Sequence, residues 1–277
     1  IEEQIEARLR EDWDRPTGDA VGRIVSDDTA DSEYVAHLLS SISVPLDPIT
    51  VVVDGANGAA SLVGPVTYRE AGADVIEIHC RPDGYNINDG CGSTHMEDLQ
   101  RAVLEHGADL GIAHDGDADR CLAVDARGQL VDGDQLMAII ALSLRDQARL
   151  VKDTVVATVM ANLGFKQAMQ REGIEVVETA VGDRYVLEAM LESGYILGGE
   201  QSGHVVMTEH ATTGDGILTA LQVMSRMAAT GKSLAELASV MDRLPQVLVN
   251  VAGVDKNAVD SNAAVAQAVA AAESRLG

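Results

Sequence analysis

Gly111-Ile112-Ala113-His114-Asp115-Gly116-Asp117-Ala118-Asp119-Arg120 is the stretch whose reading decides the fold. An apolar run, Ala108 to Ala113, leads into it, and a second, Cys121 to Val124, leads out. The pattern reads as strand, acidic loop, strand. Carboxylates at i, i+2 and i+4 repel one another unless a cation sits between them. Asp115, Asp117 and Asp119 offer only oxygen, which favours a hard ion, Mg²⁺ before Ca²⁺. Gly116 lets the backbone bend so that the three converge. Monodentate binding by all three leaves octahedral positions for water and a phosphate. A bare D-x-D-x-D also suits a solvated acidic turn, but the apolar strands on both sides weigh against a mere surface turn. An EF-hand starting at Asp115 needs Gly and Glu where Arg120 and Ala126 stand, so that reading fails. A phosphatase that uses one Asp of such a loop as its nucleophile stays open.

Working outward, the 277 residues suffice for about two domains. At 46% hydrophobic, with 26 glycines and 3% aromatics, the chain suits an α/β protein of Val/Ala-rich strands and Gly turns. The net charge of −24 argues against nucleic acid and anionic membrane as partners, since both need a basic face. A small anionic substrate needs only local arginines, a metal or a helix N-terminus. Three cysteines, Cys80, Cys91 and Cys121, suggest no disulfide framework and a reducing compartment. The longest apolar runs, such as Leu136 to Leu142, fall short of the roughly 20 residues that span a bilayer. The chain starts at Ile1 in mid-helix and stops at Gly277 just after another helix, so a piece of a longer protein is expected.

Ile1 to Trp13 has helical spacing and breaks at Pro16 and Gly18. Ser32 to Ile42 is a second helix, closed by Pro45 and Pro48. Ile49 to Val53 is a buried strand. Asp54-Gly55-Ala56-Asn57-Gly58 turns it into a helix that Gly72 ends, and Asp74 to His79 is a parallel partner strand. The D-G-A-N-G turn is either a tight strand-to-helix turn or an anion cradle. Arg81 to Thr94 is a polar loop, followed by a helix from Met96 to His106. His79, Cys80, Cys91 and His95 match no zinc spacing. Asp132 or Asp134 caps a helix running to about Arg149. A second α/β set follows: strand Thr154 to Val159, helix Asn162 to Glu172, strand Ile174 to Thr179, helix from Val181 to Gly194, strand Tyr195 to Gly198 and return strand Val205 to Met207. Helices are expected at Thr213 to Ala229 and Ser233 to Leu244. Gln246 to Val251 alternates as a strand, and Ala258 to Leu276 reads as an Ala-rich helix. The two sets share a layout, which suggests a duplicated domain.

Between the last two strands lies Gly199-Glu200-Gln201-Ser202-Gly203-His204. If extended, it turns Glu200, Ser202 and His204 to one side. A carboxylate and a hydroxyl so spaced can grip neighbouring sugar hydroxyls, and the imidazole can move a proton near pH 7. Turn chemistry is the competing reading. Arg184, just inside a helix start, can meet a phosphate or form a surface ion pair. All three signals fall on loops after strands of successive α/β units, and such loops gather at one end of a sheet.

D-G-D-A-D-R, V-G-D-R-Y-V and G-G-E-Q-S-G-H in that order resemble the α-D-phosphohexomutase family over essentially the whole chain. Three further segments point to the member that acts on glucosamine phosphate: Gly84 to His95, Gly111 to Asp125 and Pro245 to Val251. The resemblance implies tandem α/β domains with mixed, largely parallel sheets. Residues 1–30 would be the tail of domain 1, 31–129 domain 2 with the metal loop, 130–244 domain 3 with the sugar loop, and 245–277 the start of domain 4. It implies one Mg²⁺ ion on Asp115, Asp117 and Asp119, with Arg120 beside the reacting phosphate. Glu200 and Ser202 would hold sugar hydroxyls, His204 would lie close by for proton transfer, and Arg184 would contact substrate.

The implied reaction interconverts glucosamine 6-phosphate and glucosamine 1-phosphate through a phosphoserine, with a bisphosphorylated sugar as intermediate and activator. It would supply amino-sugar precursors of the cell wall, in the cytoplasm. The implied partner is a phosphosugar, with no nucleic acid, no membrane and a homodimer left open. A mutase of mannose or glucose phosphates and a truncated, non-catalytic sugar-phosphate-binding protein are the alternatives. The family's Ala-Ser-His-Asn-type serine loop and its Arg-Pro-Ser-Gly-Thr-Glu-Pro-like loop do not occur in these residues, and Ser93 and Ser202 sit in other motifs. The chain alone is therefore expected to bind Mg²⁺ weakly and to lack mutase activity.

Overall fold

The structure, a computed structural model, describes residues 1–27, 29–247, 249, 251–254, 258–259 and 261–276. Its first sheet grows from β1 (Thr50–Asp54), a run of β-branched residues buried from Val51 onward. β1 pairs in parallel with β2 (Asp74–Ile78) and with β3 (Leu110–His114). β3 then pairs antiparallel with β4 (Cys121–Asp125), which pairs with β5 (Leu130–Val131), giving the order β2-β1-β3-β4-β5. The second sheet repeats this plan. β6 (Thr154–Thr158) lies between parallel β7 (Glu175–Thr179) and β8 (Leu197–Gly199), and antiparallel β9 (Val205–Met207) closes the order β7-β6-β8-β9. The expected duplication is therefore real at the level of topology. The acidic stretch and the G-E-Q-S-G-H stretch are equivalent connections, each joining the third strand of its unit to the antiparallel fourth.

The helices are α1 (Glu2–Leu9), α2 (Ala30–Leu39), α3 (Ala60–Glu70), α4 (Glu97–His106), α5 (Gly133–Asp146), α6 (Leu163–Arg171), α7 (Asp183–Ser193), α8 (Gly216–Thr230), α9 (Leu234–Ala238) and α10 (Ala263–Leu276). α5 starts in a capping box: Asp132 accepts the Gln135 N–H while Gln135 accepts that of Asp132. Of the two expected caps, Asp132 fills the role. α5 and α8 are apolar around most of their circumference, as central helices must be. α5 packs on β4, β8, α6 and α9, and α8 on α2, α3, β3, β4 and α5. One apolar core consequently runs from Val51, Leu110 and Ile112 through Leu136, Ile140 and Leu221 to Leu197 and Val205. Tyr34 of α2 adds a polar tie, donating to Asp215 at the start of α8 over 2.8 Å.

Three expectations change near the C-terminal end. The helix foreseen at Ser233 to Leu244 stops at Ala238. The Val240 carbonyl, which would have continued it, accepts from Arg171, and the Leu244 N–H goes to the buried side chain of Asn162. Gln246, Val247, Val249 and Val251 lie in no strand, while Leu248 and Asn250 of that expected strand fall outside the described residues. Gln246 instead donates to the Met160 carbonyl. α10 begins only at Ala263, where Asn262 accepts the Ala264 N–H. Among the described residues no helix is long and apolar enough to cross a membrane.

Candidate functional site

The acidic loop leaves β3 at His114 and enters β4 at Cys121. Asp115 closes it by accepting the Arg120 N–H at 3.2 Å. Ala118 adopts φ +64°, a left-handed bend between Asp117 and Asp119. Carboxylate oxygens of Asp115, Asp117 and Asp119 then lie within 4.8 Å of one another. Burial and the charges of Asp119 and Asp117 raise the Asp115 pKa above the usual carboxylate value, against the opposing pull of the Arg120 N–H and guanidinium. Arg120 Nε stands 3.6 Å from Asp115 and 3.7 Å from Asp119. Asp119 Oδ1 is buried without a hydrogen-bond partner among the described residues. Converging oxygens, like-charge crowding and an orphaned carboxylate oxygen fit a hard divalent cation.

The layer beneath fixes this geometry. Ala59 donates to the Gly116 carbonyl at 2.9 Å, and a Cβ on Gly58 would come within 2.3 Å of that oxygen. The D-G-A-N-G turn is thus a tight turn that buttresses the acidic loop, not an anion cradle. The polar loop covers it, with Asn88 N–H on the Ala56 carbonyl. Buried Asp54 holds the two together by accepting from the N–H groups of Ala56 and Gly92 and from His79. Asp54, His79 and Cys91 present ligand atoms within 4.8 Å, a grouping with no pattern in the sequence. Hydrogen bonds already occupy both Asp54 oxygens, and burial raises the Cys91 pKa and keeps it a thiol. The cluster works as a polar strut.

The G-E-Q-S-G-H segment folds against the acidic loop. Arg120 and His204 form an antiparallel bridge, and the Cys121 N–H donates to the Gly203 carbonyl at 3.0 Å. The segment is a hairpin turn rather than extended: Gly203 donates to Glu200, Glu200 donates to the His204 carbonyl, and Gly203 has φ +96°. The expected alternation therefore breaks at Gly203, and His204 turns inward. Glu200 Oε1 accepts the Gly182 N–H at 3.1 Å, so the turn before α7 fixes this carboxylate. Gly133, opening α5, donates to the Gln201 carbonyl at 3.1 Å. A Cβ there would meet the Glu200 carbonyl at 2.3 Å. Neither link had a signal beyond the glycines themselves. Ser202 Oγ is buried with no hydrogen-bond partner among the described residues. Arg184, on the exposed first turn of α7, pairs with Glu188 at 2.8 Å, two residues beyond the Gly182 that holds Glu200.

His204, expected near the substrate for proton transfer, turns inward. Its ring is 5% exposed. Nε2 accepts the Gly214 N–H at 3.2 Å and Nδ1 faces Asp119 Oδ2 at 3.0 Å. A backbone amide can only donate, so Nε2 is bare and Nδ1 carries the proton. Both nitrogens are spent inside the protein. His114 is engaged in the same way: Nδ1 donates to the Arg120 carbonyl, Tyr68 donates to Nε2, and burial lowers its pKa. Sequence reading passed over His114, whose only mark is its place at the end of a buried strand.

Two family models, both of phosphoglucomutase/phosphomannomutase, match this chain: α/β/α domain II over residues 32–128 and α/β/α domain III over residues 132–244. The chain belongs to that family. It is 60% identical to a phosphoglucosamine mutase of Streptomyces griseus and 61% identical to one of Nocardioides sp.. Each match takes in all of this chain and 62% of the relative, so the chain spans under two thirds of their length. Among solved structures, a phosphoglucomutase/phosphomannomutase family protein of Burkholderia thailandensis shares the fold with a TM-score of 0.67 and 24% identity, over 79% of this chain and 47% of that one. An N-acetylphosphoglucosamine mutase of Aspergillus fumigatus, solved with GlcNAc-6P and magnesium, does so with a TM-score of 0.59 and 23% identity, over 77% and 52%.

Proposed function

We propose that these residues are the metal-binding and sugar-binding middle of a phosphoglucosamine mutase, which interconverts glucosamine 6-phosphate and glucosamine 1-phosphate. The observation that carries this reading is the Arg120–His204 bridge, which sets the three aspartates beside the Glu200–Ser202 turn. The identity of about 60% to phosphoglucosamine mutases supports the choice of amino sugar. In this reading residues 31–129 and 130–244 are the second and third domains, and the flanking residues belong to the first and fourth.

Asp115, Asp117 and Asp119 would hold one Mg²⁺, which supplies charge neutralisation while a phosphoryl group passes between a serine oxygen and a sugar hydroxyl. Arg120, tethered between Asp115 and Asp119, would extend its remaining donors toward the phosphate. Glu200 has one oxygen fixed by Gly182, and its other oxygen would meet a sugar hydroxyl. Ser202 Oγ has its hydrogen-bonding capacity unspent among the described residues. Arg184 would approach the substrate from the first turn of α7, exchanging its partner Glu188. A bisphosphorylated sugar would reorient between the two half-reactions. The phosphorylated serine and a further phosphate-binding loop would come from other residues of the intact protein. The free cysteines fit a reducing compartment, the cytoplasm in this reading.

The test compares the intact protein on the 6-phosphates of glucosamine, glucose and mannose, with and without Mg²⁺. Metal-dependent turnover that favours glucosamine 6-phosphate is expected. Preference for either neutral hexose would replace the substrate, and release of inorganic phosphate without isomerisation would replace the reaction class. The 277-residue chain alone should bind Mg²⁺ weakly and show no turnover, and conversion of glucosamine 6-phosphate by it would refute that part.

A further inference from the structure

We propose that His204 is a positioning residue for Asp119, and that through it the sugar-binding turn sets the orientation of a metal ligand on the neighbouring domain. The inference rests on the reading of Asp115, Asp117 and Asp119 as a divalent-cation site. Asp119 has two oxygens in unlike surroundings. Oδ2 lies 3.0 Å from His204 Nδ1, while Oδ1 is buried, has no hydrogen-bond partner among the described residues and faces Arg120 Nε at 3.7 Å. One oxygen is tied from behind by a hydrogen bond and the other accepts none among the described residues, which suits a monodentate ligand. The proton on Nδ1 follows from the Gly214 N–H that occupies Nε2. Gly214 packs closely on the ring, where even a Cβ would stand 2.4 Å from Cε1. The backbone on either side is also fixed, by the Arg120–His204 bridge and the Cys121 N–H on the Gly203 carbonyl.

A carboxylate that binds a metal is itself held by a hydrogen bond in well-ordered sites, and loss of that partner costs about 10–100-fold in affinity or activity. Here the partner sits four residues after Glu200 and two after Ser202, in the turn proposed to grip the sugar. A shift of that turn would move the Nδ1–H and release or tighten Asp119. Proximity of the two loops alone would give no such link. The link needs the imidazole with this tautomer.

The test measures Mn²⁺ binding to the 277-residue chain by the electron paramagnetic resonance signal of the free ion. Asp115→Asn should abolish binding. His204→Ala should weaken it about 10–100-fold. His204→Asn, whose amide donates from near the Nδ1 position, should recover most of the loss, and His204→Gln, which reaches toward Nε2, should not. Recovery by Asn but not Gln distinguishes orientation of Asp119 from mere filling of space. Loss of binding in Asp115→Asn with none in His204→Ala would overturn the proposal and leave the metal reading intact. Binding unaffected by Asp115→Asn would overturn both. Should His204→Ala not fold, the ring of the unaltered chain decides the matter by long-range ¹H–¹⁵N correlation. A proton on Nδ1 is expected, and one on Nε2 would overturn the proposal.

Discussion

At the scale of single residues, crowding decides more than contact. Gly58 and Gly216 both touch the acidic loop where no side chain fits: their Cβ atoms would meet the carbonyl oxygens of Gly116 and Arg120 at 2.3 and 2.2 Å. Gly58→Ala should therefore cost about 1–3 kcal/mol of stability, as overpacking does, and weaken Mn²⁺ binding by displacing Gly116. Equal urea midpoints and equal Mn²⁺ affinity would show that the turn is free to yield. Asp134 tests electrostatics away from the acidic loop. Burial pushes its pKa up to about 7, while the Asn162 N–H opposes the shift. The folded state thus binds a proton that the unfolded chain releases near the ordinary value of 3.8. Stability from this group falls as pH rises from about 4 to about 7 and is level above that. Asp134→Asn should flatten that part of a stability–pH curve measured by urea unfolding. An unchanged slope would contradict the burial argument. Asp115, Asp117 and Asp119 were legible in the sequence because their convergence is local, four residues from end to end. The inward turn of His204 was not, since it depends on Gly203 leaving the extended conformation and on Gly214 ten residues further on.

Between elements, side chains rather than secondary structure fix the connections. Asn162 is 1% exposed and serves two ends at once. Its Oδ1 caps α6 through the Gly164 N–H and accepts the Leu244 N–H, and its Nδ2 donates to the Leu244 carbonyl. Asn162→Ala strips partners from several backbone groups, each worth about 1–3 kcal/mol when buried and unsatisfied. A loss of at least about 2 kcal/mol in urea unfolding is expected, with faster proteolysis after Leu244. A loss below about 0.5 kcal/mol would show that the latch carries no weight. This latch also explains why the expected helix at Ser233 to Leu244 was too long. Its apolar spacing continues past Ala238, but the Leu244 N–H is claimed from 82 residues away. The strands were easier to read, because Val-rich runs between Gly and Pro carry their own signal. The two-residue β5 has none.

In the molecule as a whole, the sequence divides into two α/β units while the packing joins them. α8 follows the second sheet in the chain yet covers β3 and β4 of the first, and α5 spans β4 and β8. Residues 31–244 should therefore unfold in one transition, with near-UV circular dichroism of their tyrosines and far-UV circular dichroism coinciding. Two separated transitions would contradict a shared core. The duplication was visible as repeated layout, but the meeting of the two equivalent loops was not, since Arg120 and His204 lie far apart in the chain and meet through the packing of one unit on the other.

That meeting is the central claim, and diffraction from crystals of the chain grown with Mn²⁺ and glucosamine 6-phosphate tests it most directly. The account predicts an anomalous peak among Asp115, Asp117 and Asp119, with sugar density against Glu200 and Ser202 of the neighbouring turn. A peak elsewhere, or a sugar bound away from that turn, would contradict it.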